Sequence, residues 1–115
     1  VARAPEARLA ALRKVADVQI AGEESVDLAA MADHLGSLGV RCAVVEGGGV
    51  LNGHLLADDL IDELNLTVAP LLVGGTARRA VASVAEHPRR LELAHLWESE
   101  GNLLARYVRT DEPVD

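Results

Sequence analysis

A run of three glycines separates an apolar segment from a helix-like segment in this 115-residue chain. The run is Gly47-Gly48-Gly49, which follows the unalternating segment Cys42–Val45 and precedes Leu51–Ala57. Glycines let a ligand approach the backbone, and free N–H groups at a helix start attract anions such as phosphate. The run has neither GxGxxG spacing nor the Lys-Ser or Lys-Thr of a Walker A loop. A phosphate cradle and a tight turn without a ligand therefore both remain open.

The remaining reactive side chains do not form a catalytic or metal-binding set. Glu46, at the end of the apolar segment, could contact a ligand or accept N–H bonds from the next turn. Cys42 lies in an apolar segment, so we interpret it as a small core residue rather than a nucleophile. The histidines lack HExxH or HxxxH spacing, and with one cysteine in the chain no metal site is expected. They are His34, His54, His87 and His95.

Two charged groups lie outside the glycine segment. An acidic cluster of Asp58, Asp59, Asp62 and Glu63 favours a solvated turn over a metal site or a pair of catalytic carboxylates. Arg78 and Arg79 could hold a phosphate or could be solvated charges.

Composition limits the partners of the chain. Eleven Lys plus Arg against eighteen Asp plus Glu give 11 − 18 = −7, a charge that repels nucleic acid and anionic lipid. Trp97 and Tyr107 are the two aromatic residues, so the core must be aliphatic and no platform for stacking bases exists. No stretch of eighteen apolar residues and no secretory signal pattern occurs. We therefore expect a cytoplasmic protein that binds neither nucleic acid nor membranes.

Strand and helix patterns alternate along the chain, which predicts one α/β domain over residues 1–115. Helices are predicted at Ala7–Lys14, from an N-cap at Ser25 to a Schellman ending at Gly39 and Val40, and at Leu51–Ala57. Strands are predicted at Asp17–Ala21, Cys42–Val45, Leu64–Val68, Leu91–Glu98 and Leu103–Arg109. The last two strands form an antiparallel hairpin with a longer turn. Thr76–Pro88 is predicted as a surface loop, and Asp111–Asp115 as a frayed tail.

The order of four motifs resembles a known family. They are Val44-Val45-Glu46-Gly47-Gly48-Gly49-Val50-Leu51-Asn52, then Leu55-Leu56, Asp62-Glu63-Leu64, and Ala69-Pro70-Leu71-Leu72-Val73-Gly74-Gly75. Together they resemble the C-terminal reductase domain of the bacterial bifunctional riboflavin-biosynthesis deaminase-reductase, and the resemblance covers nearly the whole chain. It implies a dihydrofolate-reductase-like α/β fold, with a mainly parallel sheet, flanking helices and a C-terminal antiparallel hairpin.

The resemblance extends to the later half of the family domain. The chain starts at Val1, and the Ser-Leu-Asp-Gly-like strand with which family members begin is missing. We therefore expect an incomplete domain, and we expect the 115-residue chain alone to be inactive.

The resemblance also implies an activity and a site. Family enzymes use NADPH to reduce 5-amino-6-(5-phosphoribosylamino)uracil to its ribitylamino form, with hydride delivered to C1′ of the sugar. It implies that Glu46 binds the substrate and that no side chain acts as a catalyst, because the cofactor supplies the reducing chemistry. A homodimer is expected. The implied cofactor-binding residues are Gly48, Gly49, Val50, Leu51, Asn52, Gly53 and His54.

Two other functions stay open. The chain could belong to another NAD(P)H-dependent reductase on the same scaffold, because fold similarity does not determine the substrate. It could also be a non-catalytic assembly module, since an incomplete sheet exposes apolar faces and strand edges.

Overall fold

Three helices and three strands make up the regular structure in a computed structural model that describes residues 5–76, 79–82, 84–86 and 88–111. The helices are α1 (Glu6–Leu12), α2 (Leu28–Ser37) and α3 (Gly49–Ala57). The strands are β1 (Glu63–Val68), β2 (Leu91–Ser99) and β3 (Asn102–Arg109). The described residues divide into two units between Val45 and Glu46. Arg78, His87 and the tail after Asp111 lie outside the described residues.

The first unit holds α1 and α2, whose ends follow from local sequence. The carboxylate of Asp27, rather than the predicted Ser25, caps α2 by accepting the Ala30 N–H at 2.8 Å. Gly39 has φ +84°, and the Val40 N–H reaches the Leu35 carbonyl at 3.1 Å. The predicted Schellman ending is therefore confirmed.

Two segments of this unit differ from the prediction. Residues 17–21 and 42–45 form no strand, and Cys42 is exposed instead of lying in a core. Val44 is 83% exposed. An extended segment becomes a strand when a neighbouring strand pairs with its N–H and C=O groups, and no described segment does so here. An apolar sequence is therefore not sufficient to form a strand when no neighbouring strand pairs with it.

The second unit begins with the predicted helix after the glycines. Helix α3 ends in a second Schellman pattern, in which the Leu60 N–H donates to the Leu55 carbonyl at 2.8 Å. The C′ position is Asp59, with φ +60°, a conformation that aspartate tolerates better than most residues. This turn places Asp58, Asp59 and Asp62 between α3 and β1, and Glu63 is the first residue of β1.

The three strands form one antiparallel sheet in the order β1-β3-β2. The α/β class and the terminal hairpin are confirmed, whereas the expected mainly parallel pairing is not seen among the described strands. The hairpin turn is also shorter than predicted, since Ser99 pairs with Asn102 around Glu100 (φ +52°) and Gly101 (φ +78°). Two residues in the left-handed region are typical of a tight hairpin turn.

Directly paired residues share a face of the sheet, so the register assigns each side chain. One face is mostly apolar, and the other is mixed. The mostly apolar face, called the apolar face below, carries Glu98 and Arg109 at its opposite ends, and between them Leu64, Leu66, Val68, Leu91, Leu93, Leu96, Leu103, Ala105 and Tyr107. Among the described residues, the buried hydrophobic side chains are Leu28 in the first unit and Leu55 and Ala105 in the second. Most of the apolar face is thus partly open to solvent.

Candidate functional site

The first turn of α3 presents backbone donors that nothing in the described chain occupies. Gly48 is the N-cap, with φ −76° and ψ 172°, and it provides no capping side chain. Its carbonyl accepts the Asn52 N–H at 3.1 Å, which closes the first helical turn. Among the described residues, no acceptor meets the N–H groups of residues 49–51. Such donors, together with the positive end of the helix dipole, favour a negatively charged group.

Gly48 leaves open space in front of these donors. A Cβ built on Gly48 would meet no heavy atom within 4 Å, and the residue is exposed. At Gly47, by contrast, a Cβ would lie 2.5 Å from Cδ2 of Leu51. The backbone is therefore crowded by the Leu51 side chain at Gly47 and open to close approach at Gly48.

Glu46 and His54 are both exposed near this turn in the sequence. Within the described part of the chain, neither side chain has a hydrogen-bond or ion-pair partner. The alternative in which Glu46 braces the next turn by accepting N–H bonds is thus not observed. Its carboxylate is available to an external donor.

A segment missed by the sequence analysis lies against α3. The amide of Asn52 donates to the Ala80 carbonyl at 2.9 Å, and the Ala82 N–H donates to the Gly49 carbonyl at 2.9 Å. Residues 79–82, which we call the strap, fall inside the predicted surface loop. A detectable signal was the pair Gly49 and Gly53, because glycines four apart on a helix leave one face bare for close backbone approach.

The acidic turn is held by arginines from distant parts of the chain. The Asp59 carboxylate accepts from Nε of Arg89 at 2.9 Å and from Nη2 of Arg109 at 2.8 Å. The hydrogen bond from Arg89, followed by that from Arg109, holds the pKa of Asp59 below its ordinary value. Three residues of the cluster predicted as a solvated turn, Asp58, Asp59 and Asp62, thus lie in an exposed turn with ion pairs at Asp59, whereas Glu63 belongs to β1.

A second ion pair joins β1 to β3. Nη2 of Arg106 donates to Oε2 of Glu63 at 2.6 Å, and Nδ2 of Asn65 donates to Oε1 at 2.9 Å. The hydrogen bond from Arg106 and, to a smaller extent, that from Asn65 lower the pKa of Glu63 from 4.5 to about 2. The same contact raises the pKa of Arg106.

We expect Glu63→Gln to flatten the acid limb of the stability profile. A carboxyl group whose pKa is lowered by folding stabilises the native state above its unfolded value of about 4.5, and the contribution disappears as the pH falls toward 2. The free energy of unfolding in urea, measured from pH 7 to pH 2, should fall less steeply for Glu63→Gln than for the parent. Glu92→Gln is the control, since no ion pair is found for Glu92 among the described residues. Equal slopes for parent and Glu63→Gln would contradict this prediction.

The mixed face of the sheet carries one ring contact. His95 stacks on Trp97 with ring centroids 4.9 Å apart.

Within the described residues, no group of three or more His, Cys, Asp or Glu side chains is arranged to hold a metal ion. The described helices include none with the length and apolar character needed to cross a membrane.

Three curated proteins similar to this chain have the same name, 2,5-diamino-6-ribosylamino-4(3H)-pyrimidinone 5′-phosphate reductase. The protein from Methanothermobacter thermautotrophicus is 40% identical over 110 residues, which cover 91% of this chain and 51% of the relative. That from Archaeoglobus fulgidus is 42% identical over 72 residues, 63% of this chain and 33% of the relative. The Aquifex aeolicus protein is 34% identical over 74 residues, which cover 64% of this chain and 33% of the relative. The chain thus spans between a third and a half of the length of these relatives.

Solved structures share the fold. A pyrimidine reductase-like protein from Corynebacterium diphtheriae matches 97% of this chain and 48% of its own, with a TM-score of 0.82 and 24% identity. Acinetobacter baumannii RibD matches 89% of this chain and 29% of its own, with a TM-score of 0.70 and 22% identity. The sequence profile of the RibD C-terminal domain matches residues 2–105. Because this match covers nearly the whole chain, the protein belongs to the family of RibD C-terminal domains.

Proposed function

We propose that this chain forms the nicotinamide-cofactor half of a pyrimidine reductase in riboflavin biosynthesis, with NADPH as the reductant. The single observation that carries the proposal is the open α3 N-terminus, where no described acceptor meets the N–H groups of residues 49–51 and the neighbouring Gly48 is unobstructed. The family membership and the reductase names of the relatives support the same conclusion. The proposed cofactor-binding segment is Gly48–His54.

The start of α3 and the strap each have a physical role in the proposal. The N–H groups hold the cofactor diphosphate, and the helix dipole adds partial positive charge at the same place. The strap brings the backbone of Arg79 against Gly49, so a cationic residue lies next to this turn in the structure. Bound NADPH would supply the hydride, and the chain would position it against the substrate.

The proposed substrate is a pyrimidine with a phosphorylated ribosylamino group. The resemblance suggests 5-amino-6-(5-phosphoribosylamino)uracil, whereas the relatives are named for the 2,5-diamino pyrimidinone. Both compounds carry the same reducible sugar, so the proposed chemistry at C1′ is common to them. In the proposal, the carboxylate of Glu46, which has no partner among the described residues, accepts a hydrogen bond from the substrate.

The test is an assay of NADPH oxidation with each pyrimidine. Because the chain spans about half of the Methanothermobacter relative, it is assayed alone and fused behind the part of that relative that it does not match. We expect turnover by the fusion and none by the chain alone, because the isolated chain does not surround both reactants. A fusion that folds but neither binds nor oxidises NADPH would refute the proposal and favour an assembly module.

Glu46→Gln is expected to weaken substrate use while NADPH affinity and melting temperature remain near the parent values. The amide has the shape of the carboxylate but lacks its charge, so a charge-assisted hydrogen bond to substrate is lost. A fall in kcat/KM for the pyrimidine of roughly tenfold would correspond to one such bond. Unchanged kinetics with a large fall in melting temperature would instead assign Glu46 a structural role.

We also propose that the reductase is a cytoplasmic homodimer. The partly exposed leucines on the apolar face of the sheet support self-association, because water contact with them is unfavourable. Sedimentation of the fusion at several concentrations tests the homodimer, and a monomer throughout would refute it.

A further inference from the structure

The strap makes two hydrogen bonds to α3, one at Ala80 and one at Ala82. Nδ2 of Asn52 donates a hydrogen bond to the carbonyl oxygen of Ala80, and the Ala82 N–H donates to that of Gly49, each with a donor–acceptor distance of 2.9 Å. The Gly49 carbonyl lies in the first turn of the helix, and Asn52 lies one turn further along. The strap is therefore bonded to the same turn that presents the free N–H groups.

Close packing accompanies these hydrogen bonds. A Cβ on Gly49 would lie 2.5 Å from the Arg79 carbonyl oxygen, and a Cβ on Gly53 would lie 2.0 Å from that of Ala82. Real Cβ atoms do not approach an oxygen this closely, so both glycines are in contact with the strap backbone. Gly53 is also buried.

These contacts separate the proposed cofactor segment into two sets of residues. Gly49, Asn52 and Gly53 face the strap, whereas the other four residues are exposed: Gly48, Val50, Leu51 and His54. One N–H of the Asn52 amide is donated to Ala80, so this side chain joins the strap to the helix.

We propose that Asn52 is a positioning residue, which fixes the α3 N-terminus for the cofactor by anchoring the strap. This inference rests on the proposed cofactor function of the turn and deepens it. When Asn52 loses its donor, the strap keeps the Ala82 bond but loses its second attachment, so the first turn of α3 can move. Positioning then weakens without the loss of any direct ligand contact.

The experiment compares the 115-residue parent, Asn52→Ala and Asn65→Ala by NMR. Asn65→Ala is the matched control, because Asn65 also makes one side-chain hydrogen bond of 2.9 Å, to Glu63 on β1. Amide hydrogen exchange of Ala82 reports on the strap, and amide shifts of Gly48–Leu51 during NADPH addition give the Kd. In Asn52→Ala, we expect the Ala82 amide to exchange about tenfold faster than in the parent, as for one lost hydrogen bond. We also expect this variant to bind NADPH about tenfold more weakly. Asn65→Ala should match the parent in both measurements.

The outcomes distinguish this inference from the proposed function. Unchanged Ala82 exchange in Asn52→Ala would overturn the anchoring role. Faster exchange with an unchanged Kd would overturn the positioning role and leave the cofactor proposal standing. If NADPH shifts no amide in the parent chain and the fusion also fails to bind it, both proposals fall together.

Discussion

Gly53→Ala should destabilise the protein by about 1–3 kcal/mol, the usual cost of forcing extra atoms into a well-packed place. Its Cβ would stand 2.0 Å from the carbonyl oxygen of Ala82, which is backbone and cannot rotate away as a side chain can. The strap must therefore move off α3, and the hydrogen bond between the Ala82 N–H and Gly49 is strained or lost. Urea unfolding of parent and variant measures the change in the free energy of unfolding.

Gly36→Ala in α2 is the matched control for this prediction. Gly36 is also a helical glycine, but a Cβ there would meet nothing within 4 Å. Alanine is the better helix former by roughly 0.5–1 kcal/mol, so this variant should be more stable than the parent. The same substitution thus changes stability in opposite directions at the two positions. If Gly53→Ala were as stable as Gly36→Ala, the close approach of the strap to α3 would be disproved.

Gly48→Val should lower NADPH affinity by roughly 10²-fold, which corresponds to a few kcal/mol of phosphate contacts. Valine places two methyl groups in front of the N–H groups at the start of α3, where the diphosphate is proposed to lie. Gly48 has φ −76°, outside the left-handed region, and its Cβ position is open. Valine should therefore fit the fold without backbone strain, and the loss of a favoured N-cap residue should lower stability by no more than about 1 kcal/mol.

Gly74→Val is the control for a bulky side chain at an exposed glycine outside α3. Gly74 likewise has open space at its Cβ position and no positive φ. NADPH titration followed by NMR, together with circular dichroism, should show a folded protein with parental affinity for Gly74→Val and weakened affinity for Gly48→Val. If a folded Gly48→Val variant binds NADPH with parental affinity, the diphosphate does not bind at this turn.

Features determined by neighbouring residues were predictable from the sequence. The helix after the glycine run and the terminal hairpin were both predicted, because their signals lie within a few residues of each other. The Schellman ending at Gly39 is of the same kind, since it depends on one glycine and the turn before it. The four ordered motifs likewise identified the family later matched over residues 2–105.

Features that join distant residues were decided by the tertiary structure. Asn52 and Ala80 are 28 residues apart, and Asp59 and Arg109 are 50 apart, so no local pattern encodes either contact. Residues 42–45 have the composition of a buried strand but remain unpaired among the described residues, because strand formation needs a partner for the backbone groups. The physical reason is the same in each case: local propensity selects an element, whereas backbone pairing, ion pairs and close packing depend on what the fold brings beside it.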